Sequence, residues 1–165
     1  LSPSIANRFW DGTIKAVSIA IMAMSGVMLL YFRKLVPAVG IILAGISNIV
    51  NTLAVLTLLG INLSSSGIAA ILMLLGYSID SNIVLTARAI KNKHQKLDER
   101  IYSAFETGMT MTLTSIVALT ILYLTSSAEI LKIISVTLII GLLFDMVNTW
   151  IQNAGILRYT LKWEK

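Results

Sequence analysis

Five apolar runs, each close to the length that one helix needs to cross a bilayer, restrict this chain more than any other feature. They cover Thr13–Leu30, Val36–Leu59, Gly67–Ala87, Met109–Leu124 and Ile133–Gln152. A hydrocarbon core of about 30 Å takes about 20 helical residues. In lipid every backbone N–H and C=O must find its partner inside the protein, and a helix meets that demand by itself. The expected fold is all-α, a polytopic bundle of five transmembrane helices. The fourth run is short and is expected to borrow residues from the amphipathic stretch before it. Composition agrees, since 56% of the residues are hydrophobic and the mean hydropathy is +0.84, beyond what a water-soluble domain of this size needs.

The net charge of +5 invites a nucleic-acid reading, but the basic residues are spread as a topology signal. Arg33 and Lys34 follow the first run, and Arg88, Lys91, Lys93, Lys96 and Arg100 separate the third from the fourth. Arg158, Lys162 and Lys165 follow the fifth, whereas Gly60–Ser66 has no basic residue and Ser126–Lys132 has one. Short basic loops stay in the cytoplasm, so the N-terminus is expected outside and the C-terminus inside a cell membrane. No compact basic domain exists to bind nucleic acid. Phe9 and Trp10 before the first run, and Tyr31 and Phe32 after it, suit the two interfacial belts.

Residues 1–12 are expected to form an outer-face segment and residues 13–165 the membrane domain. Leu1–Asp11 lacks the features of a signal peptide, and an N-out start suggests a preceding span and an outer domain. Residues 88–108 are the one long connector. There Leu97, Ile101, Ala104 and Phe105 recur at helical spacing, with Asp98, Glu99, Arg100 and Glu106 on other faces. The pattern predicts an amphipathic helix on the inner membrane surface, either a tethered connector or a docking surface for a cytoplasmic partner. His94 reads as a solvated loop histidine. The chain has no cysteine, so disulfides and thiolate metal sites are excluded, and no residue pattern calls for a metal or another cofactor.

Asp80 and Asp145 are the carboxylates deep within the runs. A charged residue at a helix centre costs about 2.5–3.5 kcal/mol on insertion scales, and such residues mark ion or proton routes more often than packing contacts. No basic residue lies within the runs to pair with them. Each therefore reads either as a proton carrier or as a neutral hydrogen-bonding group. Gly40, Ala44, Ser47, Asn48 and Asn51 share one helical face, as do Gly141, Asp145, Asn148 and Gln152, with Trp150 pointing away toward lipid. Asn48, Asp80, Asp145 and Asn148 are expected to converge on one polar seam. Thr107, Thr110 and Thr114 share another face, expected to serve helix packing.

The run Gly76-Tyr77-Ser78-Ile79-Asp80-Ser81-Asn82-Ile83-Val84-Leu85, followed by Arg88, resembles the GYS motif at the end of the fourth helix in the SecF family of protein-export membrane subunits. Asp80 stands where bacterial members have Asn, which is similar to the archaeal branch. Leu97-Asp98-Glu99-Arg100, Thr107-Gly108-Met109-Thr110-Met111-Thr112 and Gly141-Leu142-Leu143-Phe144-Asp145-Met146-Val147-Asn148-Thr149-Trp150 extend the resemblance over nearly the whole chain. It implies helices two to six of a six-helix half-transporter of the RND superfamily, without the first helix and the outer domain. It also implies partnership with SecD, assistance to a SecYE-type translocon and contact with preproteins through the outer domain, driven in bacteria by the proton gradient. Two positions depart from the bacterial pattern: Asn48 aligns with an aspartate of the third helix, and Thr110 with an arginine of the fifth. Asn cannot exchange a proton at physiological pH, so any coupling falls to Asp80 or Asp145.

Two functions of different class follow, an energised transport subunit and a non-energised scaffold that holds SecD and the translocon together. A third is another RND-type exporter. With no Gly-rich phosphate loop and no Ser/His/Asp arrangement, the chain is not expected to be an enzyme and has no catalytic residue to nominate.

Overall fold

The computed structural model describes residues 3–33, 35–61, 65–91 and 96–163. Lys34, Lys93 and His94 lie outside the described residues, and the side chains of Phe9 and Trp10 are likewise outside them. Every element among the described residues is helical. The order is α1 (Pro3–Phe32), α2 (Leu35–Leu58), α3 (Ser65–Lys91), α4 (Leu97–Thr125), α5 (Glu129–Val147), a π-helical turn (Asn148–Asn153) and α6 (Ala154–Trp163). Five stretches are long and apolar enough to span a membrane, the last running from Glu129 to Leu161 through the π turn.

α5 is the central helix and packs on α2, α3 and α4, while α1 lies at the edge against α2 and α3. Lipid tails are as apolar as leucine, so close packing rather than hydrophobic burial holds such helices together. Small residues make the close approaches. Gly141 of α5 meets Leu74 of α3, and Gly108 of α4 meets the indole of Trp150. The large apolar side chains of α1, among them Ile14, Ile19, Met22 and Leu30, point away from the bundle as lipid-facing residues should. α2 stops where Gly60 adopts φ +68°. Its N–H bonds Thr57 C=O at 3.1 Å and that of Ile61 bonds Leu56 C=O at 2.9 Å, so the left-handed glycine satisfies the last carbonyls of the helix.

Residues 3–12 are helical and continuous with α1. Two expectations are corrected. Residues 88–108 do not form one surface helix: 88–91 end α3, and Leu97 onward is the start of a single 29-residue α4. Ile101 and Ala104, the apolar stripe read as membrane-facing, instead pack on Leu85, Ala89, Ala154 and Leu157. Three arginines add to that packing. Arg88 Nη1 donates to Ser103 O and Oγ, both at 2.6 Å, and Arg100 Nη1 donates to Ala89 O at 2.6 Å. Arg158 reaches Asp98 at 3.0 Å. Residues that read as a charge signal therefore also tie α3, α4 and α6 together.

Candidate functional site: a polar seam between α2, α3 and α5

The small-and-amide face of α2 lies against α5 and the π turn, as its spacing requires. Asn48 Nδ2 donates to Asp145 Oδ1 at 3.5 Å, and Ser47 Oγ to Asn148 Oδ1 at 3.4 Å. Thr149 Oγ1 donates to Asp145 Oδ1 at 3.4 Å. α3 adds Ser78 and Ser81, whose hydroxyls face the same carboxyl group. Asn153 Nδ2 donates to Asn82 Oδ1 at 2.5 Å, and Asn82 Nδ2 passes the chain on to Ser78 O at 2.7 Å. Asp145 is 1% exposed and Asn48, Asn82 and Asn153 are as deeply enclosed. About 20 Å of α2 precedes Asn48 and about 15 Å follows it, at 1.5 Å per residue, so the seam sits near mid-helix.

The seam is rich in acceptors. Asp145 Oδ2, Asn48 Oδ1 and Asn153 Oδ1 are buried with no hydrogen-bond partner, as is one donor, Asn148 Nδ2, and no cationic side chain pairs with Asp145 among the described residues. The bonds to Asp145 are long, near the limit for a hydrogen bond, so Oδ1 is held loosely and Oδ2 is open to a donor. A proton placed on Oδ2 would supply that donor. Hydroxyls that can both give and accept a hydrogen bond surround it.

Of the four expected seam residues, the structure joins Asn48, Asp145 and Asn148 and leaves Asp80 out. Asp80 is exposed on the outer face of α3 with Ala69, Met73 and Gly76, while Ser78 and Asn82 face inward. Residues two apart on a helix differ by about 160° around its axis, so Asp80 and its neighbours Ser78 and Asn82 cannot share a face. That spacing was readable, and it identifies Ser78, Ser81 and Asn82 as α3's contribution. Gly76 of the GYS motif is exposed with Asp80, Tyr77 is half-buried against the α3–α5 cluster, and Ser78 alone of the three enters the seam.

Trp150 is also corrected. It turns inward onto Gly108 and stands edge-on to Phe105, with ring centroids 5.3 Å apart. The reason is the π turn: i→i+5 bonding widens the helix by one residue per turn. Asn153, rather than the expected Gln152, then follows Asn148 into the seam, and Thr149 joins them. Among the threonines, Thr110 and Thr114 are exposed and bond their own helix, at Glu106 O and Thr110 O, so they pack against no helix described. The inward face of α4 is Ile101, Ala104, Gly108 and Thr112.

Comparison with known proteins gives the family. Residues 1–163 match the family model described as Protein export membrane protein SecD/SecF, C-terminal. The chain is 44% identical to the protein-export membrane protein SecF of Methanocaldococcus jannaschii, over 96% of this chain and 58% of that protein. It is 47% identical to the SecF of Thermococcus gammatolerans over 88% of this chain and 46% of that protein. It is 40% identical to the SecF of Pyrococcus furiosus over 96% and 53%. The chain thus spans about half the length of these relatives. It belongs to the SecD/SecF family of protein-export membrane proteins, and it is a multi-pass membrane protein.

Proposed function

From that membership we propose that the chain is the membrane part of a SecF-type export subunit, in which protonation of Asp145 selects between two packings of α5 against α2 and α3. The observation that carries this reading is the unpaired, fully enclosed Asp145 among loosely bonded hydroxyls and amides. A proton taken up or lost there changes which seam atoms are satisfied, and so biases the helix contacts. The π turn directly after it is a place where a helix can exchange register at low cost, since π turns recur at functional sites.

SecD is the proposed partner across the outer face of α3. Asp80 at span depth would be costly against lipid, and Ala69 and Gly76 beside it permit a neighbouring helix to come close. The subunit would assist preprotein release through a SecYE-type translocon, with preproteins met by an outer domain. The alternative is a scaffold of the same complex with Asp145 permanently neutral, for which the direct Asn82–Asn153 tie between helices speaks.

Asp145→Asn keeps the shape and removes the titration. In cells that depend on the complete subunit, export should fall to the level that an uncoupler leaves, with SecD copurifying as before. Export of Asp145→Asn that equals wild type and still responds to an uncoupler would favour the scaffold.

The proposed orientation has the α3–α4 connection and the C-terminus in the cytoplasm. Lys96 and Ser127 are both exposed, at opposite ends of α4, and the chain has no background thiol. An impermeant thiol reagent added outside is expected to label Ser127→Cys and to spare Lys96→Cys. The reverse pattern would invert the topology.

A further inference from the structure

A groove opens between the first turns of α4 and the end of α6, away from the seam. One half, about 540 Å³, is lined by Arg100, Arg158, Asp98 and Tyr159, with Leu97 and Leu161 beside them. The adjoining half, about 480 Å³, shares Gly155 and Arg158 and is otherwise lined by Tyr102, Phe105, Trp150 and Ile151. One end is thus charged and the other aromatic and aliphatic. Among the described residues Arg158 pairs with Asp98, and both side chains are more than half exposed; such pairs hold weakly. Arg100 uses Nη1 on Ala89 O. With Lys96 at the start of α4, three basic residues meet Asp98 and Glu99, leaving one net positive charge. The sequence adds Lys91 at the end of α3, Lys162 in the last turn of α6 and Lys165 after it.

We infer that this groove is a binding site for one anionic phospholipid, its phosphate against Arg158 and Arg100 and a hydrocarbon chain along Phe105, Trp150 and Ile151. The charge and the shape point to the same occupant. Basic pockets between spanning helices take anionic headgroups, and tyrosine and tryptophan beside arginine mark the depth at which headgroup meets chain. A helix from a protein partner would need a longer apolar face than these two halves offer. Gly155 opens the floor: a Cβ there would meet nothing within 4 Å, so the space is unfilled by the protein itself.

Trp150 provides the readout. The full chain with Trp10→Phe and Trp163→Phe, reconstituted in phosphatidylcholine bilayers, would receive a small fraction of brominated phosphatidylglycerol or brominated phosphatidylcholine. Quenching of Trp150 should require at least about fivefold less of the anionic lipid, the advantage expected from one basic residue near a headgroup. Gly155→Leu puts an apolar side chain at the groove from a Cβ position that meets nothing within 4 Å, and it favours the helix. It should abolish the preference while circular dichroism stays unchanged. Arg158→Gln should weaken the preference about fivefold. Equal quenching by the two lipids, a preference that survives Gly155→Leu, or one that Arg158→Gln leaves undiminished, would overturn the site.

Discussion

Gly141→Leu is expected to separate α3 from α5 and to destabilise the bundle by about 3 kcal/mol, the upper range for overpacking a filled core. A Cβ at Gly141 would land on the Leu74 side chain. Leu74 cannot swing aside, because it is fully buried with Ala70, Leu138 and Leu142 around it. On the scale of soluble domains of similar size, the loss corresponds to a Tm lower by about 6–12 °C in detergent. Leu74→Ala alone should cost about 2–5 kcal/mol through the cavity it leaves. The double variant should be more stable than the two losses added together, because the new leucine occupies the vacated volume. Strict additivity would mean that the Gly141–Leu74 contact does not set the distance between these helices. Since α3 and α5 bring Ser78, Ser81 and Asp145 together, Gly141→Leu should also impair export.

Asn153→Ala is expected to cost about 2 kcal/mol, more than a typical amide bond between membrane helices, because it strands a buried acceptor. Asn82 Oδ1 receives the Asn153 amide, and Asn82 Nδ2 remains committed to Ser78 O. A buried group left without its partner carries the desolvation penalty of about 1–3 kcal/mol, whereas bonds of this kind average about 0.6 kcal/mol when measured by double-mutant cycles in a membrane protein. Asn82→Ala should behave alike, and the double variant should lose less than the sum, by about 1 kcal/mol or more. Thermal unfolding of the four proteins decides it. If the single losses simply add, the two amides act independently and the tie between α3 and the π turn is not a determinant of the packing.

Much of the fold was legible because hydropathy is a local property. Each apolar run had to become a helix wherever it stood, and the face of α2 with Gly40, Ser47 and Asn48 follows from a period of 3.6 residues. Asp145 could be singled out for the same reason: a carboxylate in an apolar run must either be enclosed or face a partner. The relation of Asp80 to Ser78 and Asn82 was legible too, in the angle between them. Their opposed positions on α3 divide an enclosed seam from a face open to a partner.

The amino-acid sequence by itself determined how many spans form, roughly where they lie, and that polar residues would be enclosed among them. Only the tertiary structure decided how each helix is rotated and which residues the seam contains. The π turn shows why. Whether Asn148–Asn153 winds with i→i+4 or i→i+5 bonding depends on what its side chains meet, here Asn82, Gly108 and the floor at Gly40. That choice moves Asn153 into the seam and turns Trp150 onto α4. The extension of α4 back to Leu97 likewise rests on Leu85 and Ala89 of α3 and on Leu157 of α6, residues outside α4 itself. Local pattern gives every helix an axis and an apolar stripe, but the contact energies that fix its rotation belong to pairs of helices.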